Sequence, residues 1–265
     1  MEYVTLNNGV KMPILGYGTY QTPARITQRC VEDALSVGYR SIDTAQCYGN
    51  EHEVGLACRQ SGIARSELFI TTKLWACRGY QDTLRSIDGS LKEIDMDYID
   101  LLLIHEPTGD VYEIYRAMEA AYKQGKLKAI GISNFMDSRY SDLIRRCEIT
   151  PAINQVETHV FRQQKSLREL EREAGTQHEA WSPMACGKNG IFQTPTLLSI
   201  ARSHEKTSAQ VALRFLSQQG IVVIPKSTHT DRMKENLASL DFDLTPDEMR
   251  RLESLEIGKS LFGWW

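Results

Sequence analysis

Four side chains that can hold or transfer protons each lie at or just after the end of an apolar run in this 265-residue chain. They are Asp43 at the end of YRSID, Tyr48 in the following loop AQCYGNE, Lys73 at the end of FITTK and His105 at the end of YIDLLLIH. Removing a single Asp, Lys or His from water is costly, whereas four such groups that converge can satisfy one another. A phenol grouped with a cation and an imidazole is suited to proton transfer.

Each of these residues also has an ordinary structural explanation. Taken alone, Tyr48 is explained as a packed aromatic ring, and Asp43 is explained as a turn or helix-cap residue. Lys73 alone is explained as a surface cation whose aliphatic stem lies on apolar surface, and His105 is explained as a hydrogen-bonded core histidine. The occurrence of all four at run ends, in this order, favours the chemical interpretation.

The four side chains need a scaffold that brings strand ends together. Stretches with helical spacing, such as 26–37 and 111–123, alternate with eight short runs rich in β-branched and apolar residues. These runs are ILGYGTY, YRSIDTA, LFITTKL, YIDLLLIH, LKAIGISN, AINQVET, QHEAWSP and IVVIPK. Strands alternating with helices predict parallel pairing through right-handed crossovers, so the chain is expected to form an α/β fold, the (β/α)8 TIM barrel. Active sites of such barrels lie at the C-terminal ends of the strands.

A β-hairpin is predicted before the barrel. Residues 3–6 and 10–14 flank Asn8-Gly9, which supplies the positive φ angles of a tight turn. Thr22 before Pro23 and Thr245 before Pro246 are predicted helix caps. Because no Pro/Gly/Ser-rich linker divides the chain, a single domain over residues 1–265 is expected.

Composition excludes several classes of partner. The chain has 31 Lys and Arg against 34 Asp and Glu, a net charge of −3, so neither nucleic acid nor an anionic membrane is an expected partner. The six cysteines form no C-x-x-C pair, and no targeting segment or run of about 18 apolar residues is present. A cytoplasmic protein with reduced thiols is therefore expected. We also expect a monomer.

Several motif fragments do not amount to a site. Gly16-Tyr17-Gly18 lacks the third glycine of a dinucleotide fingerprint, and Gly258-Lys259-Ser260 lacks the first glycine of a P-loop. Tyr122 and Lys126 match a dehydrogenase pair, but Gly125 separates them at a helix end. The six histidines never occur four residues apart, so no metal site is predicted.

Taken together, the motifs resemble those of the aldo-keto reductase family over essentially the whole chain, in a bacterial type with a short C-terminal loop. The matching segments are DTA and YGNE at 43–51, TKLW at 72–75, IH at 104–105, GISNF at 131–135, NQ at 154–155, WSP at 181–183, and IPKS at 224–227 with Arg232, Glu235 and Asn236. The resemblance implies NADPH-dependent reduction of an aldehyde or ketone, with Tyr48 protonating the developing alkoxide. A non-enzymatic NADPH-binding regulatory or channel-subunit-like protein on the same fold is the alternative, which the intact four-residue set disfavours.

The implied proton donor sets a requirement on its surroundings. A free tyrosine titrates near ~10, and lowering its pKa by about three units takes roughly 4 kcal/mol. A cation about 4 Å away supplies about that much at an effective dielectric of ~20. We therefore expect Lys73 to lower the pKa of Tyr48, Asp43 to hold Lys73, and His105 to orient and hydrogen-bond the substrate carbonyl.

The resemblance also assigns residues to the cofactor. Ser133, Asn134 and Gln155 correspond to the carboxamide-binding group, and Trp181, followed by Ser182, stands where the family stacks an aromatic ring on the nicotinamide. Around the last strand, the residues implied for the 2′-phosphate and adenosine are Lys226, Ser227, Arg232, Glu235 and Asn236. The alternatives are strand-end capping for Ser133 and Asn134, core packing for Trp181 and a solvated basic face for the last group.

The substrate pocket is implied to include Tyr20, Trp75 and Glu106, and the terminal Trp264 and Trp265 are further candidates. Many family members have Trp where this chain has Glu106. A carboxylate at that position predicts a preference for polar substrates or repulsion of acidic ones. The alternative is a rim carboxylate paired with Arg78 or left in water. Because the chain ends soon after Phe262, a more open site is expected.

Overall fold

The N-terminal hairpin closes one end of the molecule. In the computed structural model, which describes residues 1–263, β1 (Tyr3–Thr5) pairs antiparallel with β2 (Lys11–Pro13). Gly9 in the turn has the predicted positive φ, +86°, whereas Asn8 does not have a positive φ. Leu6 and Met12 are buried against side chains from inside the main sheet, so the hairpin covers the end of the barrel away from the predicted site.

Eight parallel strands form the barrel, one from each of the predicted runs. They are β3 (Tyr17–Gly18), β4 (Ser41–Asp43), β5 (Phe69–Leu74), β6 (Ile99–Ile104), β7 (Leu127–Ser133), β8 (Ile153–Glu157), β9 (Gln177–Trp181) and β10 (Val222–Val223), and each pairs with the next. The first and last strands also meet, because Gly16 N donates to Val223 O and Val223 N donates to Ile14 O, both at 2.9 Å. The predicted (β/α)8 fold with an N-terminal hairpin is confirmed.

Helices cover the outside of the barrel. Within residues 1–263 the ten α-helices are α1 (Ala24–Val37), α2 (Glu51–Gln60), α3 (Tyr80–Ile94), α4 (Val111–Lys123), α5 (Asp137–Ile144), α6 (Lys165–Ala174), α7 (Pro195–Ser203), α8 (Ser208–Ser217), α9 (Thr230–Leu237) and α10 (Pro246–Glu253). Their apolar faces pack on the outward-facing strand residues and form two buried clusters. In the part of the chain that the structure describes, no helix is both long and apolar enough to cross a membrane.

The two predicted helix starts have different outcomes. Thr245 caps α10 through a capping box with Glu248, as its sequence predicts. Thr22 does not cap α1, because Pro23 occupies the N-cap position and makes no side-chain cap hydrogen bond. The Thr22 hydroxyl is buried and has no hydrogen-bond partner among residues 1–263.

One glycine is required for close packing under the site. A Cβ on Gly131, in β7, would lie 2.6 Å from Ile153 O and 2.7 Å from Leu103 Cδ2. Real Cβ atoms essentially never make such contacts, so Gly131 lets β6, β7 and β8 approach as they do. These three strands place His105 and the predicted carboxamide-binding residues.

Candidate active site

The four predicted proton-transfer residues meet at the C-terminal end of the barrel. Asp43 ends β4, Lys73 lies one residue from the end of β5, and His105 directly follows β6. Tyr48 ends a single 3-10 turn after β4, and Gly49 (φ +64°) closes that turn. The Tyr48 ring centroid lies 5.2 Å from Lys73 Nζ and 5.6 Å from the His105 ring centroid. The structure thus brings together residues that lie up to 62 positions apart in the sequence.

Lys73 and Asp43 form a buried ion pair beneath Tyr48. Lys73 is fully buried, and its Nζ donates to Asp43 Oδ1 at 2.5 Å and to Thr44 O at 3.0 Å. Asp43 Oδ2 accepts from Gln155 Nε2 at 2.9 Å, so both carboxylate oxygens have a donor. Burial by itself lowers the pKa of Lys73, but the Asp43 carboxylate, together with Tyr48 and Glu179, outweighs burial and holds that pKa above its usual value.

The pKa of Tyr48 moves in the direction opposite to our expectation. Burial raises it to about 12, although the Lys73 ammonium acts to lower it. The expected lowering of this pKa was wrong, because removing the phenolate from water costs more free energy than the attraction of the Lys73 cation regains. The Asp43 carboxylate also cancels part of the field of that cation. The phenol is therefore fully protonated at neutral pH, which is the form that can donate a proton.

His105 is uncharged at neutral pH, because burial, and secondarily the Lys73 cation, lowers its pKa to about 3. Its Nδ1 lies 3.4 Å from the thiol of Cys47. Burial raises the pKa of Cys47, so the thiol keeps its proton and can donate it to Nδ1. A thiol that donates to Nδ1 leaves the imidazole proton on Nε2, from which it can donate to a substrate oxygen. Our sequence reasoning missed Cys47, although it directly precedes Tyr48.

The residues predicted to bind a carboxamide lie at the ends of neighbouring strands. Ser133 ends β7, and its Oγ donates to Gln155 O at 2.8 Å. Asn134 follows with φ +63°; its Nδ2 donates to Glu106 Oε1 at 2.9 Å, and its Oδ1 accepts from Trp181 Nε1 at 2.8 Å. The Trp181 ring also packs edge-on against Phe262, 5.2 Å between centroids. The indole at the end of β9 is therefore held in one orientation.

Ser182 follows Trp181 with a left-handed backbone, φ +50°. Its Oγ lies 3.2 Å from Cys186 Sγ, in the irregular segment that follows β9. Both residues lie at the same end of the barrel as the four proton-transfer side chains.

The predicted phosphate and adenosine residues follow β10, at the same barrel end. Lys226 and Arg232 are exposed, and Ser227 Oγ accepts from His229 N at 3.1 Å just before α9 begins. Glu235 accepts from the Thr207 hydroxyl at 2.6 Å, and Asn236 is buried. The exposed cations stand at the helix N-terminus, where backbone N–H groups favour anions.

Exposed aromatic rings border the site. Tyr20 is 58% exposed and packs 5.0 Å from the Tyr48 ring, and Trp75 is 50% exposed and packs 5.3 Å from the His105 ring. Glu106 is half-buried and bonds Asn134, so it is neither paired with Arg78 nor left in water. Burial raises its pKa to about 7. Trp264 and Trp265 lie outside the described residues.

Glu157, at the end of β8, anchors the segment that follows α10, and our sequence reasoning missed it. Its carboxylate accepts from the Ser260 hydroxyl at 2.5 Å and from Leu261 N at 2.9 Å. These bonds place Phe262 against Trp181. The signal available in the sequence was its position at the end of an apolar run, the criterion that found Asp43.

Comparison with known proteins identifies the family of this barrel. The family model described as "Aldo/keto reductase family" matches residues 14–257. An uncharacterized oxidoreductase, YtbE, of Bacillus subtilis is 45% identical over 95% of this chain and 91% of its own length. A glyoxal reductase of the same organism is 43% identical over 96% of this chain and 92% of its own.

A solved structure shows the same architecture. The crystal structure of MGS-M4, an aldo-keto reductase enzyme from a Medee basin deep-sea metagenome library, superposes with a TM-score of 0.95 and 42% identity, covering 98% of this chain and 97% of that one. With a family match over most of the barrel and relatives of this similarity, the chain belongs to the aldo/keto reductase family of oxidoreductases.

Proposed function

We propose that this protein reduces aldehydes or ketones to alcohols with NADPH, and that Tyr48 supplies the proton. The observation that carries the proposal is the contact of one phenol with both a buried ammonium and a neutral imidazole at the barrel rim. We further propose that it acts in the cytoplasm, as a monomer, on small carbonyl compounds. Glyoxal is a first candidate because a relative 43% identical to this chain is named for it.

The side chains present fit a nicotinamide dinucleotide. Ser133 Oγ and Asn134 Oδ1 each keep a lone pair that can accept from a carboxamide N–H, and the oriented Trp181 ring offers a flat face. Lys226 and Arg232 offer cations for a phosphate at the N-terminus of α9. A 2′-phosphate is the group that would use them, so we propose NADPH over NADH. When bound, the cofactor supplies the hydride.

The protein's own residues then handle the substrate oxygen. Tyr48 and the Nε2–H of His105 donate hydrogen bonds to the carbonyl oxygen, which polarises the carbonyl and fixes its orientation. As negative charge develops on that oxygen, the phenol proton moves to it. Lys73 stabilises the phenolate left behind, and Asp43 and Thr44 O keep the ammonium in place. Burial keeps Tyr48 protonated until the alkoxide, a much stronger base, forms.

The test follows NADPH oxidation against a panel of aldehydes, ketones and keto-sugars, with Tyr48→Phe and Tyr122→Phe as matched variants. Tyr48→Phe is expected to lower kcat by about 10²- to 10⁴-fold while NADPH still binds. Tyr122→Phe removes a hydroxyl on α4, outside the site, and is expected to change kcat little. Equal kcat values for both variants would contradict Tyr48 as the proton donor. An NADPH-binding protein that reduces no carbonyl compound would support the non-enzymatic alternative.

A further inference from the structure

Glu106 brings an unneutralised carboxyl group to the rim beside His105. Its Oε1 accepts from Asn134 Nδ2 at 2.9 Å, while Oε2 is buried and has no hydrogen-bond partner among residues 1–263. A cavity of about 10 Å³ adjoins it. The other residues that line this cavity carry no charged side chain; they are Leu74, Trp75, Ala76, Cys77, Ile104, Thr108 and Ile114. Nothing in this lining offsets a negative charge on Glu106.

The titratable groups near Glu106 keep their charge across the neutral pH range. Arg139 on α5, whose Nη1 donates to Pro107 O at 2.9 Å, stays cationic, and the others stay neutral. Two of them are thiols: Cys47, in the 3-10 turn that ends at Tyr48, and Cys77, after β5. Burial raises the pKa of both. Burial lowers the pKa of His105 to about 3, and it raises that of Tyr48 to about 12. Glu106 differs from all of them, because burial raises its pKa to about 7.

The other ionisable groups of the barrel interior cannot repel a charged substrate in place of Glu106. Lys73 and Asp43 stay ionised as a pair and are fully or almost fully buried, so neither can receive a charged substrate. Glu179, on β9, has a pKa raised to about 8 by burial, but it lies in the barrel interior with no exposed surface. Among the described residues at the rim beside His105, Glu106 is thus the group whose charge changes near neutral pH.

We propose that Glu106 makes the site select uncharged carbonyl compounds over those that carry a carboxylate on the reacting carbon, and that the selection strengthens when Glu106 loses its proton. The inference rests on the proposed reduction of carbonyls at this site. A carbonyl oxygen bonded to Tyr48 and His105 puts its substituents near the residue that follows His105. Two negative charges about 6 Å apart, at an effective dielectric of about 20–40, disfavour binding by about 10- to 100-fold.

The test compares methyl pyruvate with pyruvate, which share one reacting ketone and differ in charge. For each, kcat/KM is measured with NADPH from about pH 5.5 to about pH 8.5, a range that spans the Glu106 ionisation. In the wild-type protein, the ratio of ester to acid is expected to rise by about 10- to 100-fold across this range. Taking the ratio cancels pH effects on proton donation, since both substrates use the same donor.

Two variants locate the effect. Glu106→Gln keeps an oxygen for Asn134 and removes the charge, so its ratio is expected to stay low and independent of pH. Asp110→Asn removes an exposed carboxylate from the same loop and is expected to retain the wild-type rise. A flat wild-type ratio, or an equal rise in Glu106→Gln, overturns the inference while leaving carbonyl reduction in place. If no carbonyl compound, ester included, is reduced, the proposed function falls and this inference falls with it.

Discussion

Gln155 donates a hydrogen bond from Nε2 to Asp43 Oδ2 at 2.9 Å, across the barrel interior from β8 to β4. Lys73 binds the other oxygen of the same carboxylate at 2.5 Å. A residue that the family resemblance assigns to the cofactor is therefore also part of the buried support of Lys73. Its two tasks can be separated by experiment, because the stability of the protein reports the bond to Asp43 and the affinity for NADPH reports the contact with the cofactor.

Replacing Gln155 with Leu should destabilise the protein itself. Asp43 Oδ2 would lose its donor while remaining buried, which costs about 1–3 kcal/mol of the free energy of unfolding. Denaturant unfolding of the cofactor-free protein measures this, and kcat is expected to fall as well because Lys73 is held less firmly. Unchanged stability with a loss confined to NADPH affinity would show that Gln155 serves the cofactor alone.

Cys47 should set which nitrogen of His105 carries the proton. Cys47→Ser keeps a donor for Nδ1, whereas Cys47→Val removes it and leaves the two neutral tautomers closer in energy. We expect the ¹⁵N NMR spectrum to show an Nε2–H imidazole in the wild type and in Cys47→Ser. For Cys47→Val we expect a mixture of tautomers and a loss in kcat of about 5-fold, which corresponds to the net free energy of one ordinary hydrogen bond.

The matched control is Cys186→Val, which removes the other exposed thiol at this end of the barrel without touching His105. It is expected to leave the His105 spectrum unchanged. The same experiment tests the charge of His105, since its resonances should show no titration near the usual ~6.5. A mid-range titration, or an Nδ1–H tautomer in the wild type, would refute the arrangement.

Arg232 should discriminate between the two nicotinamide dinucleotides. Arg232→Ala removes a planar guanidinium suited to a phosphate, so NADPH affinity is expected to fall about 10- to 100-fold while NADH affinity changes little. Fluorescence titration with each cofactor measures both. Lys234→Ala, which removes another exposed cation from α9, serves as control and should spare NADPH binding. Equal losses for NADPH and NADH would argue against a 2′-phosphate contact.

Glu179 should make the protein less stable as pH rises. Its carboxyl is fully buried, neither oxygen has a hydrogen-bond partner among the described residues, and burial raises its pKa from 4.5 to about 8. Between these values the folded protein holds a proton that the unfolded chain has released. The contribution to stability is therefore greatest below 4.5 and is lost as pH rises towards about 8, by about 1.4 kcal/mol per pH unit.

Glu179→Gln removes this dependence. Relative to the wild type, the variant is expected to gain roughly 3 kcal/mol in the free energy of unfolding between about pH 5 and about pH 7. Denaturant unfolding at several pH values gives the difference directly. Glu67→Gln, which changes an exposed carboxylate, should parallel the wild type. A constant difference for Glu179→Gln would mean that Glu179 is ionised in the folded protein.

Local patterns in the sequence were sufficient for the eight strands, the hairpin and the start of α10. Their causes act over a few residues: apolar alternation, an Asn-Gly turn, and a Thr-Pro cap with Glu three positions on. The start of α1 was missed by one residue: Pro23, which has no side-chain hydrogen-bonding group, stands at the N-cap position, and Thr22 is buried before it. The search for polar residues at the ends of apolar runs likewise located Asp43, Lys73 and His105.

The sequence by itself determined which chemical groups stand at the rim; the tertiary structure decided their charge states and their partners. The pKa values of Tyr48 and Glu106 are both raised, because desolvation depends on how completely the rest of the barrel surrounds each group. The bond from Gln155 to Asp43 joins residues 112 positions apart. No local pattern records that distance, because it arises only when eight strands close around one interior.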